Sequence, residues 1–139
     1  MGYTHYWEAE SEITTEQWEK IAQDSRKLIE ASPAPIWFED DQPEAAPHIG
    51  DGLIRFNGAG ADGHETFWLD RENAEFAFCK TAAKPYDLVV CAILAVVKEH
   101  APQVRVSSDG DARDWAAPLR WASDILKRPI LLPFRDETA

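Results

Sequence analysis

The longest apolar stretch of the chain is a run of ten residues, Leu88 to Val97. Polar residues bound it closely, since Lys84 and Asp87 precede the run and Lys98 follows it. Ten helical residues span about 15 Å, half of what a bilayer requires. The β-branched residues of the run would also allow a strand, but its length, its Ala and Leu content and its polar C-terminal end favour a helix. The run therefore predicts a helix buried in the core.

Two elements are predicted before this helix from clear local signals. Tyr3 to Glu8 is rich in aromatic residues and Thr, which predicts a strand. Thr14 and Gln17 have the spacing of a capping box, so a helix is predicted to begin there. Pro33 ends that helix, because the residue before a proline disfavours the helical conformation.

Short apolar segments predict further strands at 36–38, 53–56, 66–69, 76–79 and 103–106. Between the first two, Glu39 to Asp51 carries five acidic residues, two prolines and no Lys or Arg. This composition predicts an exposed acidic loop. A last helix is predicted from about Asp114, with Pro118 near its first turn, where proline is tolerated.

The resulting order, β-α-β-β-β-β-α-β-α, predicts an α+β fold: a mixed sheet with helices packed on one face. The 139 residues, of which 45% are apolar, suit a single domain over residues 1–139. Phe76 to Val106 would form one βαβ unit with a right-handed crossover, which makes its two strands parallel.

The charge balance limits the classes of partner. Lys and Arg total 14 against 25 Asp and Glu, a formal net charge of −11. This balance argues against direct binding to nucleic acid or to an anionic membrane, since both need a basic surface. Solubility is the simplest explanation of the charge. The alternative is an acidic face that docks on a basic partner or imitates nucleic acid.

The cysteines and the N-terminal residues indicate a compartment. Cys79 and Cys91 are the only cysteines, and both lie in the apolar stretch, which suits a reducing environment better than a disulfide framework. The opening segment MGYTHYWEAE has neither the basic region nor the apolar core of a signal peptide. A cytoplasmic location is expected.

Four blocks of the chain carry a resemblance: GYTHYW, FNGAGADGHETF, FCKTAAKPYDLVVCAIL and VSSDGD. Together they resemble a family of short uncharacterised phage, prophage and bacterial proteins whose chains begin MGYTHYW. The resemblance covers most of the chain but implies no catalytic residues. A phage setting implies a small accessory role, including interference with host defence.

The βαβ unit offers a candidate anion site. The segments 80–84 and 107–111 follow its two strands and should lie at the same edge, each leading into a helix N-terminus that favours an anion. The predicted ligand-binding residues are Lys80, Thr81, Lys84, Tyr86 and Ser107. The alternative is an ordinary solvated loop with Ser and Asp caps.

His5 is the second candidate, since it shares a predicted strand face with Tyr3 and Trp7. With His64, Glu65, Tyr86 and Asp87 it could supply an acid/base set, although nothing in the spacing brings these residues together. The alternative is a hydrogen-bonded core histidine.

Recognised catalytic and metal-binding motifs are missing from the sequence. The four histidines stand singly, no phosphate-binding glycine pattern is present, and the Asp109-Gly110-Asp111 segment lacks the other ligands of a calcium loop. The sequence therefore predicts neither a metal nor a cofactor.

Two functions remain. The first is a binding protein that sequesters a small anionic, nucleotide-like ligand or docks on a host protein with a basic surface. The alternative is a small enzyme that acts on a nucleotide-like or phosphorylated substrate, with His as acid/base.

Overall fold

The fold is built around the buried helix predicted at the apolar run. The computed structural model describes residues 3–72 and 75–135. In it, helix α2 spans Asp87–His100, and every residue from Val89 to Val97 is buried. The strand alternative is therefore excluded. Within the described residues, no helix is both long and apolar enough to cross a bilayer.

Two further helices pack against α2. Helix α1 spans Thr15–Glu30 and begins at the predicted capping box of Thr14. Helix α3 spans Ala112–Leu126 and begins at a second capping box, formed by Asp111 and Asp114. Because this box starts α3 earlier than predicted, Pro118 lies inside the helix, and its expected place near the first turn was wrong.

The described part of the chain forms seven strands in two sheets: β1 Thr4–Ala9, β2 Ile36–Trp37, β3 His48–Gly50, β4 Leu53–Gly58, β5 Phe67–Asp70, β6 Ala77–Lys80 and β7 Val104–Ser108. One sheet has three strands in the order β6-β1-β7. In the other, β4 pairs with β2, β3 and β5. Among the described residues, every strand pairing is antiparallel.

The α+β class is confirmed, with one strand more than expected. Strand β3 lies in the segment 39–51 that composition predicts to be a loop. It pairs with β4 through a turn at Asp51 and Gly52, both of which have positive φ. Positive φ at both central residues is the geometry of the tight hairpin turn that Asp-Gly favours. The Asp-Gly pair was therefore a signal for this strand.

The strands of the predicted βαβ unit are separated in space. Strands β6 and β7 each pair antiparallel to β1, so they run parallel to each other with β1 between them. The carboxyl ends of β6 and β7 therefore flank the start of β1. His5 lies there, with Cys79 on one side in the sheet and Ser108 on the other.

The two faces of the three-stranded sheet differ in burial. His5, Trp7 and Cys79 alternate onto the inner face and are buried in the core beneath α2. Tyr6 and Phe78, which are neighbours across β1 and β6, alternate onto the outer face. There Tyr6 is half-buried and Phe78 is 55% exposed.

Candidate functional site

A hydrogen-bonded cluster lies where β6 and β7 end. His5 is fully buried, and each of its ring nitrogens has one close oxygen partner. Nδ1 is 2.7 Å from Ser108 Oγ, and Nε2 is 2.7 Å from Asp87 Oδ1. Three elements therefore meet at this histidine: β1 supplies His5, β7 supplies Ser108 and α2 supplies Asp87.

The direction of both hydrogen bonds follows from the partners of Ser108. The Gly110 N–H and the Trp115 Nε1–H both donate to Ser108 Oγ, at 2.9 and 3.1 Å. A hydroxyl has two lone pairs and one proton, so Ser108 donates its proton to His5 Nδ1. His5 then carries its own proton on Nε2 and donates it to Asp87.

The Asp87 carboxylate is the acceptor on which the cluster converges. Thr81 Oγ1 donates to Asp87 Oδ1 at 2.6 Å, and the Cys91 thiol lies 3.6 Å from Oδ2. Asp87 is also the first residue of α2, where the helix dipole favours a negative charge. The anion at this helix N-terminus is therefore the protein's own carboxylate.

Both cysteines are held as neutral thiols. Burial raises the pKa of Cys79 to about 12, with the charges of Glu65 and Asp87 adding to the effect. Burial also raises the pKa of Cys91 well above its ordinary value, and Asp87 contributes again. Thiolate is the nucleophilic form, so neither cysteine is set up for attack.

The order Ser108, His5, Asp87 is the order of a nucleophilic triad, but the geometry does not allow that chemistry. An attacking serine needs a free lone pair and a path to substrate. Both lone pairs of Ser108 Oγ accept N–H groups, and His5 has no exposed surface. This cluster joins elements of the core.

The same cluster contains a set of possible metal ligands. Donor atoms of His5, Asp87 and Cys91 lie within 4.8 Å of one another. A metal ion would have to displace the His5 Nε2 proton and the Cys91 thiol proton. A second such set, Asp24, Glu99 and His100, already surrounds the guanidinium of Arg128.

The predicted anion-binding residues are placed in different surroundings. The side chains of Thr81 and Tyr86 are fully buried, and the Tyr86 hydroxyl donates to the Glu65 carbonyl. Lys80 and Lys84 are half-exposed, and Ser107 is exposed on the outer face of the sheet. Of the five, the two lysines and Ser107 are accessible to a ligand from solvent.

The loop between β6 and α2 leaves few amide groups for an anion. The N–H groups of Thr81 and Ala82 donate to the Tyr3 carbonyl. Those of Ala83 and Lys84 donate to the side chain and carbonyl of Thr81. An anion here would be bound by lysine ammonium groups, so anion binding at this loop stays a prediction.

The acid/base candidates His64 and Glu65 are hydrogen-bonded to residues other than His5. His64 is exposed, and its backbone N–H and C=O are both bound by the Asn57 side chain. The Glu65 carboxylate accepts the Lys80 N–H at the edge of β6, at 2.8 Å. His5 is joined instead to Asp87, which the sequence placed only among the possible partners.

A second feature is an exposed aromatic face on the outside of the three-stranded sheet. We define the aromatic face as Tyr6, Phe76 and Phe78. Their ring centroids are 6.0 Å apart for Tyr6 and Phe76, and 6.3 Å apart for Phe76 and Phe78. Phe76 is 60% exposed and Phe78 55% exposed. Large apolar side chains grouped in this way on a surface mark interaction sites.

Two clefts border this face. The first, of about 280 Å³, is lined by Tyr6, Trp7, Glu8, Phe76, Arg105, Val106 and Ser107. The second, of about 370 Å³, is lined by Trp7, Trp68, Asp70, Glu75, Phe76, Ala77 and Phe78, and we call it the Trp68 cleft. Phe76 belongs to both clefts and stands between them.

Trp68 extends the aromatic surface onto the second sheet. Trp68 is 48% exposed, and the guanidinium of Arg55 lies 4.3 Å from its ring centroid. The same guanidinium lies 4.4 Å from the ring of Phe38 and pairs with the carboxylate of Glu39. This surface therefore already holds one guanidinium between two aromatic rings and a carboxylate.

No protein-family model matches the chain, and neither a curated protein sequence nor a solved structure is significantly similar to it.

Sequence reasoning missed Ser108 as a partner of His5, and it missed Cys91, whose sulfur lies 3.4 Å from His5 Nε2. It also missed the aromatic face. The pairing of His5 with Ser108 depends on the register of β1 and β7, which no local pattern reveals. The spacing of Phe76 and Phe78 was a signal, because residues two apart in a strand share a face. That this face is the open one follows only from the packed structure.

Proposed function

We propose that this protein acts by binding and docks through the aromatic face on a partner protein with a basic surface. The observation that carries the proposal is the exposure of Phe76 and Phe78 beside two clefts. Trp68, Phe76 and Phe78 are three of the four large apolar side chains that stand exposed among the described residues. Aromatic residues are enriched in the energetic centres of protein interfaces.

The charge of the chain supports a basic partner. A net charge of −11 accelerates encounter with a positively charged surface and repels an acidic one. Glu8, Asp70 and Glu75 line the clefts beside the aromatic face. An apolar centre with a charged rim is the usual arrangement of a protein interface.

The closed cluster at His5 favours binding over catalysis. The group that would act as base, His5, is buried, and the hydroxyl that would act as nucleophile, Ser108 Oγ, is already hydrogen-bonded on every side. The aromatic face, by contrast, is open to solvent. A small accessory role of this kind agrees with what the resemblance to phage and prophage proteins implies. The two buried, unpaired thiols, Cys79 and Cys91, agree with a cytoplasmic location.

Site-specific photocrosslinking tests the proposal. A photoreactive phenylalanine at position 76 is expected to give a discrete adduct in cells of the natural host, whereas one at position 131 is not. Leu131 is a matched control, because it is 75% exposed and lines a different cleft. The yield of the adduct should fall as the salt concentration rises, since salt screens exposed charges beyond a Debye length of about 8–10 Å. Equal labelling from both positions, or none from position 76, would reject the proposed face.

A further inference from the structure

The Trp68 cleft has a composition that selects for one kind of chemical group. Its walls include the aromatic rings of Trp68, Phe76 and Phe78. The other described residues that line it include two acids, Asp70 and Glu75, and no Lys or Arg. Aromatic faces carry negative electrostatic potential, so rings and carboxylates together favour a cation.

The size and openness of the cleft suit a side chain. A volume of about 370 Å³ lies at the low end of the range for ligand pockets, about 300–1,000 Å³. The cleft also opens onto the aromatic face, where the proposed partner would lie. A side chain that projects from that partner would enter the cleft from this face.

Beside the cleft, the surface already binds a guanidinium of the protein itself. Trp68 already contacts the guanidinium of Arg55, whose charge is balanced by Glu39. A planar guanidinium stacks on aromatic rings and pairs with carboxylates, whereas an ammonium is more strongly hydrated and does neither as well. The neighbouring cleft is less suited to a cation, because its own Arg105 already pairs with Glu8 and Glu10.

We infer that the Trp68 cleft binds the guanidinium of an arginine presented by the partner protein. The inference rests on the proposed docking function and names the chemistry of its central contact. The guanidinium stacks against Trp68, Phe76 and Phe78, and its charge is met by Glu75. Arginine is also one of the residues enriched in the energetic centres of interfaces.

The test uses small probes on the full chain, so it needs no knowledge of the partner. The probes are three capped tripeptides, Gly-Arg-Gly, Gly-Lys-Gly and Gly-citrulline-Gly, where citrulline is the neutral isostere of arginine. Binding is followed by NMR at the Trp68 indole N–H, which a Trp68→Phe variant assigns. The arginine peptide is expected to shift this resonance most, the lysine peptide less, and the citrulline peptide least.

Variants of the cleft separate a specific contact from general attraction to an acidic protein. Phe76→Ala and Phe78→Ala should each weaken arginine binding about two- to thirtyfold, the range of one cation–π contact. Glu75→Gln should also weaken it, whereas Glu44→Gln, which removes the same charge from another exposed acid, should leave it unchanged. The amide spectrum of each variant shows that it is folded.

Several outcomes would overturn the inference. These are equal shifts with arginine and citrulline, tighter binding of lysine than of arginine, and equal losses in Glu75→Gln and Glu44→Gln. The two proposals fail separately. A position-76 adduct without arginine binding would leave docking standing and remove the guanidinium contact. Arginine binding without an adduct would leave the cation site and reject the docking partner.

Discussion

At His5, each ring nitrogen has one close oxygen partner and both hydrogen bonds have a determined direction. Ser108 donates to Nδ1, and Nε2 donates to Asp87. A buried imidazole in this position contributes stability only while both partners are present, because a buried polar group without a partner is costly. The Asp87 carboxylate accepts from three side chains of this cluster, His5, Thr81 and Cys91.

Asp87→Asn is expected to lower the free energy of unfolding by about 1–3 kcal/mol, because an amide cannot accept from His5, Thr81 and Cys91 as the carboxylate does. Urea denaturation measures the change. Asp124→Asn, on the exposed side of α3, serves as the control and should be close to neutral. An unchanged midpoint in Asp87→Asn would show that the cluster does not stabilise the fold.

The two thiols are expected to be unreactive in the folded protein. Burial keeps the pKa of Cys79 at about 12 and that of Cys91 well above its ordinary value, so little thiolate forms at pH 8. A chromogenic disulfide reagent should therefore react slowly with the native chain and rapidly with both cysteines in urea. Fast reaction of the native protein would contradict the buried positions of these side chains.

At the scale of elements, one arginine links α1, α2 and α3. Arg128 follows α3, and its guanidinium bonds Asp24 of α1 and Glu99 of α2. His100 Nε2 lies 2.7 Å from the same Asp24 carboxylate. Burial acts to raise the pKa of Asp24, but hydrogen bonds from Arg128 and His100 outweigh burial and lower that pKa below its ordinary value.

Arg128→Met is expected to cost about 1.5–3 kcal/mol at neutral pH, the range for hydrogen bonds to a charged group. A carboxyl with a lowered folded pKa adds stability above its unfolded pKa and loses it as the pH falls. The difference from wild type should therefore shrink below about pH 4, the ordinary range of Asp.

Urea titrations at a series of pH values measure this difference. Arg120→Met, which removes an exposed arginine of α3, is the matched control and should show no such trend. A cost for Arg128→Met that stayed constant from neutral to acid pH would contradict the link to Asp24.

Elements with strong local signals could be predicted from the sequence, and those that depend on pairing could not. Helix α2 followed from its apolar run, and α1 from the capping box at Thr14. Strand β3 was missed, because its acidic and proline-rich surroundings outweighed the Asp-Gly turn in the interpretation. The division into two sheets was also missed, since strand order depends on contacts between distant residues.

The candidate site was less predictable than the fold for the same reason. Periodicity placed His5 and Trp7 on one face of β1, and both are buried there. Periodicity could not show that Asp87 and Ser108 would close around His5, because three separate elements bring them together. Local patterns also cannot tell which face of a sheet is left without helices, and this decided the position of the aromatic face.

At the scale of the whole molecule, net charge and the aromatic face have opposite effects on self-association. The charge of −11 keeps copies of the chain apart, whereas exposed Phe76 and Phe78 favour contact between apolar surfaces. The balance between them depends on how many carboxylates are ionised. Acidification should therefore lower the repulsion between copies and let the aromatic faces associate.

Self-association is expected to increase as the pH falls from about 6 to about 4.5, where carboxylates begin to take up protons. Dynamic light scattering follows the mean particle size. A Phe76→Ser/Phe78→Ser variant should remain monodisperse over more of this range, whereas Leu131→Ser should behave like the wild type. Identical profiles for the wild type and the Phe76→Ser/Phe78→Ser variant would show that the aromatic face does not drive association.

The central position of β1 in its sheet also affects how the chain folds during synthesis. Residues 4–9 pair with residues 77–80 and 104–108, so the strand made before the others in this sheet is completed by the strand made last. Pairing over such separations slows folding, because distant segments must meet before any bond forms. On the ribosome, Tyr6 and Trp7 stay without their neighbours until most of the chain has emerged. During synthesis, β1 is therefore exposed to chaperones and proteases before it can pair with β6 and β7.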